Sequence, residues 1–443
     1  MTLIESLGAQ IAALRYEDIP VKVIEKLRTC VLYGVSMAAA NQQESDELRI
    51  VRSVYNSPGP VRTLIAPLNL SAADAAFANA ALMCSRGQND TFTQTMSHAG
   101  CIAIPAVLAA AQECDANGRD VLVALAAGYE TSFTIAQNAF AAVVERGFRP
   151  TAVFGAFASC AAVARLYKLD AKQTAQAIGI ASQFAGGTMQ TWTEGTPEWQ
   201  LHSGHAARSG IVAAQLARGG YQSASQALEG KAGFLRAFAG QVPKVAERFG
   251  WATADVVFKP LPGCLINQAP LYLFLEKIRE HAITEDQIDK VSIALSPICA
   301  TYPGVANHGP FETSTGAIMS CALMMAVGLR EGTLKMRHFA DYFGEGSIHA
   351  LSRRFQVESD ARLSGWATSV TVTLKDGRRI NGAIEDLSRF CLGWEETDAL
   401  LSGITEEWPF PDGARRYAQL RQIVRGLENA VSVDALIDTV RPD

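Results

Sequence analysis

Imidazole and guanidinium groups are where this sequence first invites a chemical reading. Seven histidines occur in 443 residues, and among those near glycine His98 and His202, in His98-Ala99-Gly100 and His202-Ser203-Gly204, stand where backbone or a ligand can come close. Imidazole takes up a proton near neutrality, which suits it to act as a general base. Arg149 directly precedes Pro150-Thr151, a pair that opens a helix, so a guanidinium and N-terminal peptide N–H groups would converge on one anion. Together these are a base and cations, the parts that proton transfer on an anionic molecule needs. Each residue also has a structural alternative. Either histidine could be a buried ring tied to backbone carbonyls, and Arg149 could be a surface side chain with a solvated head. His205, one helical turn from Ser209, reads as packing, and His308, in the loop 304–309, reads as surface.

Helices must position most of these groups. From Thr2 to about Leu82 apolar residues recur at helical spacing, as in Leu7, Ile11 and Leu14, then Ile24, Leu27 and Val31. The pattern continues over 102–112, 121–140, 152–166, 171–184 and 205–218, in segments crowded with Ala, Gly and Ser that permit close helix packing. After about Trp251 the texture changes. Residues 290–295 and 369–374 alternate as strands do, the second run leading into the hairpin signal Asp376-Gly377, with an apolar helix over 316–329 and a polar segment around His338 between them. Beyond about Gly393 amphipathic helix returns through Tyr417, Leu420, Ile423 and Leu427. The expected fold class is mainly α with a smaller α+β domain: helices over 1–255, an α+β unit over 256–394, and helices over 395–443 that rejoin the first unit.

Composition narrows the function classes. An apolar fraction of 49% with 19% charged residues suits buried helices rather than disorder. A net charge of −5, with no dense Lys/Arg run, gives no footprint for nucleic acid. Nine cysteines lack any C-x-x-C pair or zinc-ligand spacing, so reduced thiols in a cytoplasmic protein are expected, with no disulfide framework and no metal. Residues 1–15 lack the order of a secretion signal, and the most apolar stretches, such as 315–329, are too short to cross a bilayer, so no membrane is expected as partner. Nucleotide-binding glycine motifs are absent.

Several motifs together strongly resemble the MmgE/PrpD family: Gly128-Tyr129-Glu130, Gly147-Phe148-Arg149-Pro150-Thr151, Phe154-Gly155-Ala156, and 201–210 around His202-Ser203-Gly204-His205. Asp90-Thr91 with Ser97-His98-Ala99-Gly100, Leu228-Glu229-Gly230 with Gly233-Phe234, Phe258-Lys259-Pro260 with Pro262-Gly263-Cys264, and the hairpin 370–378 extend the match over most of the chain. The family includes 2-methylcitrate dehydratases, cis-aconitate decarboxylases and iminodisuccinate epimerases, which handle small di- or tricarboxylates with no required metal or organic cofactor. The resemblance implies a large all-helical domain formed by both chain ends, a smaller α+β lid, a homodimer, and an active site in the cleft between the two domains. It also implies roles. His98 and His202 are the candidate bases, and Asp90 would orient His98 or a water, or else serve only as a helix or turn cap. Tyr302 falls near a family Tyr that acts on substrate, Thr91 would donate to a substrate oxygen, and Arg149, with Arg86 and Lys259 as secondary clamps, would hold the carboxylate.

The departures bear on substrate. Gly87 and Asn89 fall where the family's acidic motif has two further acids, and Arg149 stands where decarboxylase-like members carry His. Trp199, three residues before His202, replaces a frequent Lys with an aromatic wall, and Cys264-Leu265-Ile266-Asn267-Gln268 replaces Cys-Arg-Tyr-Thr-His, leaving Gln268 for a His. A tricarboxylate would be poorly neutralised in such a site, so the expected substrate is a less charged or partly apolar carboxylate. The leading expectation is a 2-methylcitrate dehydratase-like hydro-lyase working by alpha-proton abstraction, with Tyr302 assisting departure of a beta hydroxyl. Epimerisation of a dicarboxylate comes next, then cis-aconitate-type decarboxylation, then a protein that has kept the fold for binding alone.

Overall fold

Small residues set how closely the long helices of this protein approach one another. In the computed structural model, which describes residues 1–41, 45–64 and 66–441, the helices Ala72–Cys84, Gly100–Glu113, Gly118–Ala136, Pro150–Leu166 and Trp199–Arg218 pack side by side. Gly128 lies so close to its neighbour that an added Cβ would come 2.5 Å from the Ala158 carbonyl oxygen. At Gly210 a Cβ would meet the Ser159 hydroxyl at 2.1 Å and the Cys160 nitrogen at 2.3 Å. Glycine is therefore dictated here by distance between backbones. Helix accounts for 58% and strand for 9% of the protein, which is mainly α with a smaller α+β part, as the hydrophobic periodicity predicts.

Boundaries differ from the periodicity in instructive places. The helix expected over 205–218 begins at Trp199, just past Pro197, so His202 is helical. Its first turns carry polar residues and Gly204 on a packed face, which hides the apolar repeat. Within the amino-terminal helical run, Pro58, Pro60 and Pro67 exclude continuous helix, and a short ribbon forms instead, β1 (Pro58–Arg62) antiparallel to β2 (Asn69–Leu70). The apolar segment 316–329 is not one helix. It divides into Ser314–Met319 and Cys321–Glu331 at Ser320, whose extended backbone frees its hydroxyl to accept from Leu323 N (3.1 Å) and donate to the Asn307 carbonyl (2.6 Å).

The α+β part is built on one sheet of order β4-β3-β5-β6: β3 (Ile288–Leu295), β4 (Phe355–Ser359), β5 (Thr368–Leu374) and β6 (Arg379–Ile384). β4 runs parallel to β3, whereas β5 is antiparallel to β3 and to β6. Val370, Val372 and Leu374 of β5 alternate inward, and Gly377, at φ 87°, makes the β5–β6 turn. The helix Gln268–Glu280 covers β5 and β6.

Two chain crossings join this part to the helices, and one buried lysine ties both. Lys26, on the helix Val21–Ala40, donates to the carbonyls of Val256 (3.1 Å) and Leu392 (2.8 Å). Glu130 anchors the approach to the first crossing by accepting from Ala252 N, Thr253 N and the Thr253 hydroxyl at 3.1, 2.8 and 2.6 Å. The carboxy-terminal helices Trp394–Ile404, Gly413–Arg425 and Asp434–Val440 pack against Val21–Ala40. Because these contacts leave no room for a methyl group, Gly128→Ala is expected to destabilise the protein by about 1–3 kcal/mol, read as a lowered urea midpoint at unchanged slope.

Candidate active site

A cavity lies where the first crossing meets the helices. Three stretches bring its walls together. Thr91 exchanges two backbone hydrogen bonds of 2.9 Å with Val257, laying the 86–98 loop along the crossing. The Lys259 carbonyl is then held by the Tyr33 hydroxyl (2.8 Å) and the Gln88 amide (3.2 Å). From the α+β part, Tyr302, Ile318, Met319 and Trp366 close the space, and the Trp366 indole donates to the Thr93 carbonyl at 3.2 Å.

His98 is presented as a free base. Its Nδ1 lies 3.1 Å from the Asp90 carbonyl and 2.8 Å from the Thr91 hydroxyl. A carbonyl only accepts, so Nδ1 carries the proton, while the Thr91 hydroxyl passes its own hydrogen to the Asn89 carbonyl at 3.2 Å. That tautomer leaves Nε2 unprotonated, with no protein partner among the described residues. Burial, reinforced by Lys259 and Arg149, holds the imidazole pKa well below its ordinary value, so the ring is neutral at pH 7.

Asp90 acts behind this ring. Its carboxylate accepts from Gly100 N (3.0 Å) and from the Tyr129 hydroxyl (2.5 Å), while its carbonyl orients His98. Burial raises the Asp90 pKa, opposed by these hydrogen bonds. The carboxylate does not line the cavity.

Two cations do line it. Arg149 precedes the helix Pro150–Leu166, is 5% exposed, and donates to the Trp199 carbonyl at 2.8 Å. Its guanidinium lies 5.3 Å from the Trp192 ring and 5.6 Å from the Trp199 ring. Lys259, 2% exposed, donates to the carbonyls of Gly87 and Gly263. Among the described residues neither has a carboxylate partner, and burial, with Arg149 nearby, brings Lys259 down to about 8. A cavity with two unpaired buried cations is completed electrically by an anion.

Of the residues singled out from sequence, His98, Thr91, Arg149, Trp199, Lys259 and Tyr302 meet in this cavity, with Gly87 and Asn89. Burial pushes the Tyr302 hydroxyl pKa up. The others lie elsewhere. Arg86 forms a two-pronged ion pair with Glu407 (3.0 and 3.1 Å) under a neighbouring crevice. Gln268 bonds to Leu261 N and the Cys264 carbonyl (3.1 and 3.3 Å). His202 sits with His205 in a separate surface hollow, its pKa depressed to about 3 by burial and then by Arg149. Trp192, Met96 and Trp366 also line the cavity with no local sequence signal, whereas Thr151, Gly263 and Cys264 stood inside quoted motifs without a role.

A neutral imidazole and two cations without carboxylate partners among the described residues share one cavity, on a helical body with an α+β part. Residues 5–246 match the MmgE/PrpD N-terminal domain, more than half the chain, and the protein belongs to the MmgE/PrpD family. It is similar to the cis-aconitate decarboxylase-like protein oryM of Aspergillus oryzae, 26% identical over 356 residues covering 74% of this chain and 73% of the relative. Cis-aconitate decarboxylase of Aspergillus terreus is 26% identical over 352 residues, 74% and 71% of the two chains. The human cis-aconitate decarboxylase is 31% identical over 201 residues, 43% of this chain and 41% of the relative. Among the described residues no helix is long and apolar enough to cross a membrane.

Since Lys259 is an ammonium below about 8 and neutral above it, succinate binding measured by calorimetry is expected to weaken as pH rises through that value. Lys259→Met is expected to bind about tenfold more weakly at pH 7 and to lose this pH dependence.

Proposed function

We propose that this protein is a lyase that acts on a small carboxylate by withdrawing the proton beside the carboxyl group, with the chemistry carried by its own side chains. The observation that carries this reading is a neutral His98, bare at Nε2, in the same cavity as Arg149 and Lys259, two buried cations without carboxylate partners among the described residues. The substrate carboxylate takes Arg149, and the charge that builds on its oxygens as the C–H bond breaks is met by Arg149 and Lys259. Electrons from that bond form the alkene as the beta C–O bond breaks, and a proton from Tyr302 leaves with the hydroxyl as water. Trp192, Trp199, Met96 and Ile318 offer apolar walls, which favours a carboxylate with an apolar part over a tricarboxylate.

Decarboxylation is the second reading, favoured by the names of the relatives. It needs no base to take a proton from carbon, so it leaves the neutral imidazole of His98 without the abstracting role that elimination gives it.

The test incubates the protein in heavy water with 2-methylcitrate, citramalate, malate and cis-aconitate, followed by proton NMR. The expected result is deuterium at the alpha carbon and growth of alkene signals with at least one hydroxy acid. His98→Ala should lose both by roughly 100-fold or more, and Arg149→Ala should chiefly raise KM, by about tenfold. Release of carbon dioxide without loss of water would transfer the assignment to decarboxylation, and silence across the panel would end both.

A further inference from the structure

Cys264 lines the cavity with His98, and no step above uses it. It follows Gly263, at φ 103°, where a Cβ would press on the Ile318 carbonyl oxygen at 3.1 Å and Met324 at 3.0 Å. That turn sends Cys264 N to the Ile318 carbonyl (3.3 Å). Asn267 N, at the head of the helix Gln268–Glu280, donates to the Cys264 carbonyl at 3.3 Å. Burial pushes the thiol pKa up, opposed by the nearby Lys259 ammonium and then by the backbone of Ile266 and Asn267, so the side chain is a protonated donor.

Two further observations indicate that a ligand belongs in this cavity. Trp199, 1% exposed and lining the same cavity, has an Nε1–H with no acceptor among the described residues. The buried Arg149 guanidinium lacks a carboxylate there too.

We infer that Cys264 is a second proton-transfer residue, which returns a proton to the enolate carbon generated by His98 and so gives the site an alpha-proton exchange activity beside elimination. The inference rests on the proposed function. In the step itself the S–H bond breaks, a C–H bond forms from the enolate electron pair, and the thiolate, in one cavity with the Lys259 ammonium, is reprotonated by water. The imidazolium of His98 loses its proton to solvent, and no oxidant or cofactor is consumed.

Two measurements test it. In heavy water the parent is expected to place deuterium at the alpha carbon of recovered substrate, since a thiol exchanges rapidly with solvent. Cys264→Ala should lose that incorporation by about tenfold or more while still eliminating, whereas His98→Ala should lose both. Cys264→Ala exchanging like the parent overturns the inference and leaves the lyase reading standing. Independently of any substrate, iodoacetate, whose carboxylate Arg149 and Lys259 attract, is expected to alkylate Cys264 at least about tenfold faster than neutral iodoacetamide, with loss of iodide and the thiol proton. Peptide mapping separates this thiol from the exposed Cys114 and Cys391. Succinate should slow the labelling, and Arg149→Ala should abolish the preference. Equal rates for the two reagents, or no labelling of Cys264, would also overturn the inference.

Discussion

Two cations withdrawn from water without a carboxylate to meet them are the constraint on which this structure turns. Removing a guanidinium or an ammonium from solvent costs several kcal/mol unless opposite charge or full hydrogen bonding replaces the lost hydration. Arg149 receives one carbonyl and the faces of two indoles, and Lys259 receives two carbonyls. These partners blunt the cost without cancelling the charge. Burial lowers the pKa of His98, reinforced by Lys259 and Arg149, and burial lowers that of Lys259, reinforced by Arg149.

The surrounding architecture fixes these groups through backbone more than through side chains. Carbonyls of Asp90, Trp199, Gly87 and Gly263 orient the imidazole, the guanidinium and the ammonium in turn. Such a design depends on the loop 86–98 lying against the crossing near Val257, and that contact depends on helices packed closely enough to bury both. Asp90 illustrates the division of labour: its carboxylate secures Gly100 at the head of the helix Gly100–Glu113, and its carbonyl selects the tautomer of His98.

Positions where the sequence departs from the family pattern acquire structural meaning. Gly87 lines the cavity at φ 63°, an added Cβ there would touch the Gly263 backbone at 3.4 Å, and its carbonyl takes the Lys259 ammonium that an acid could otherwise neutralise. Gln268 is fully buried and braces the turn 261–264 instead of presenting charge to the cavity. Trp199 lies beside Trp192, with ring centroids 5.1 Å apart and planes tilted by 40°, and forms with it an aromatic bed for Arg149. Each exchange removes a titratable group or deepens an apolar wall.

The fold class could be read from sequence because helical and strand periodicities report burial directly: the helices around Gly128 and Gly155 and the strand pair before Asp376-Gly377 follow from residue spacing. Most of the cavity's ionisable side chains were likewise visible, since His98, Arg149 and Lys259 carry their chemistry in their type. Local sequence could not separate His98 from His202, because both stand beside glycine; only the packing of the 86–98 loop turns one ring into the cavity and leaves the other in a surface hollow. Nor could it tell that Arg86 would pair with Glu407, far along the chain, or that Trp366 and Cys264 would complete the walls. Those outcomes depend on which distant backbones meet and on what charge is left unpaired when they do, and both are properties of the folded chain as a whole.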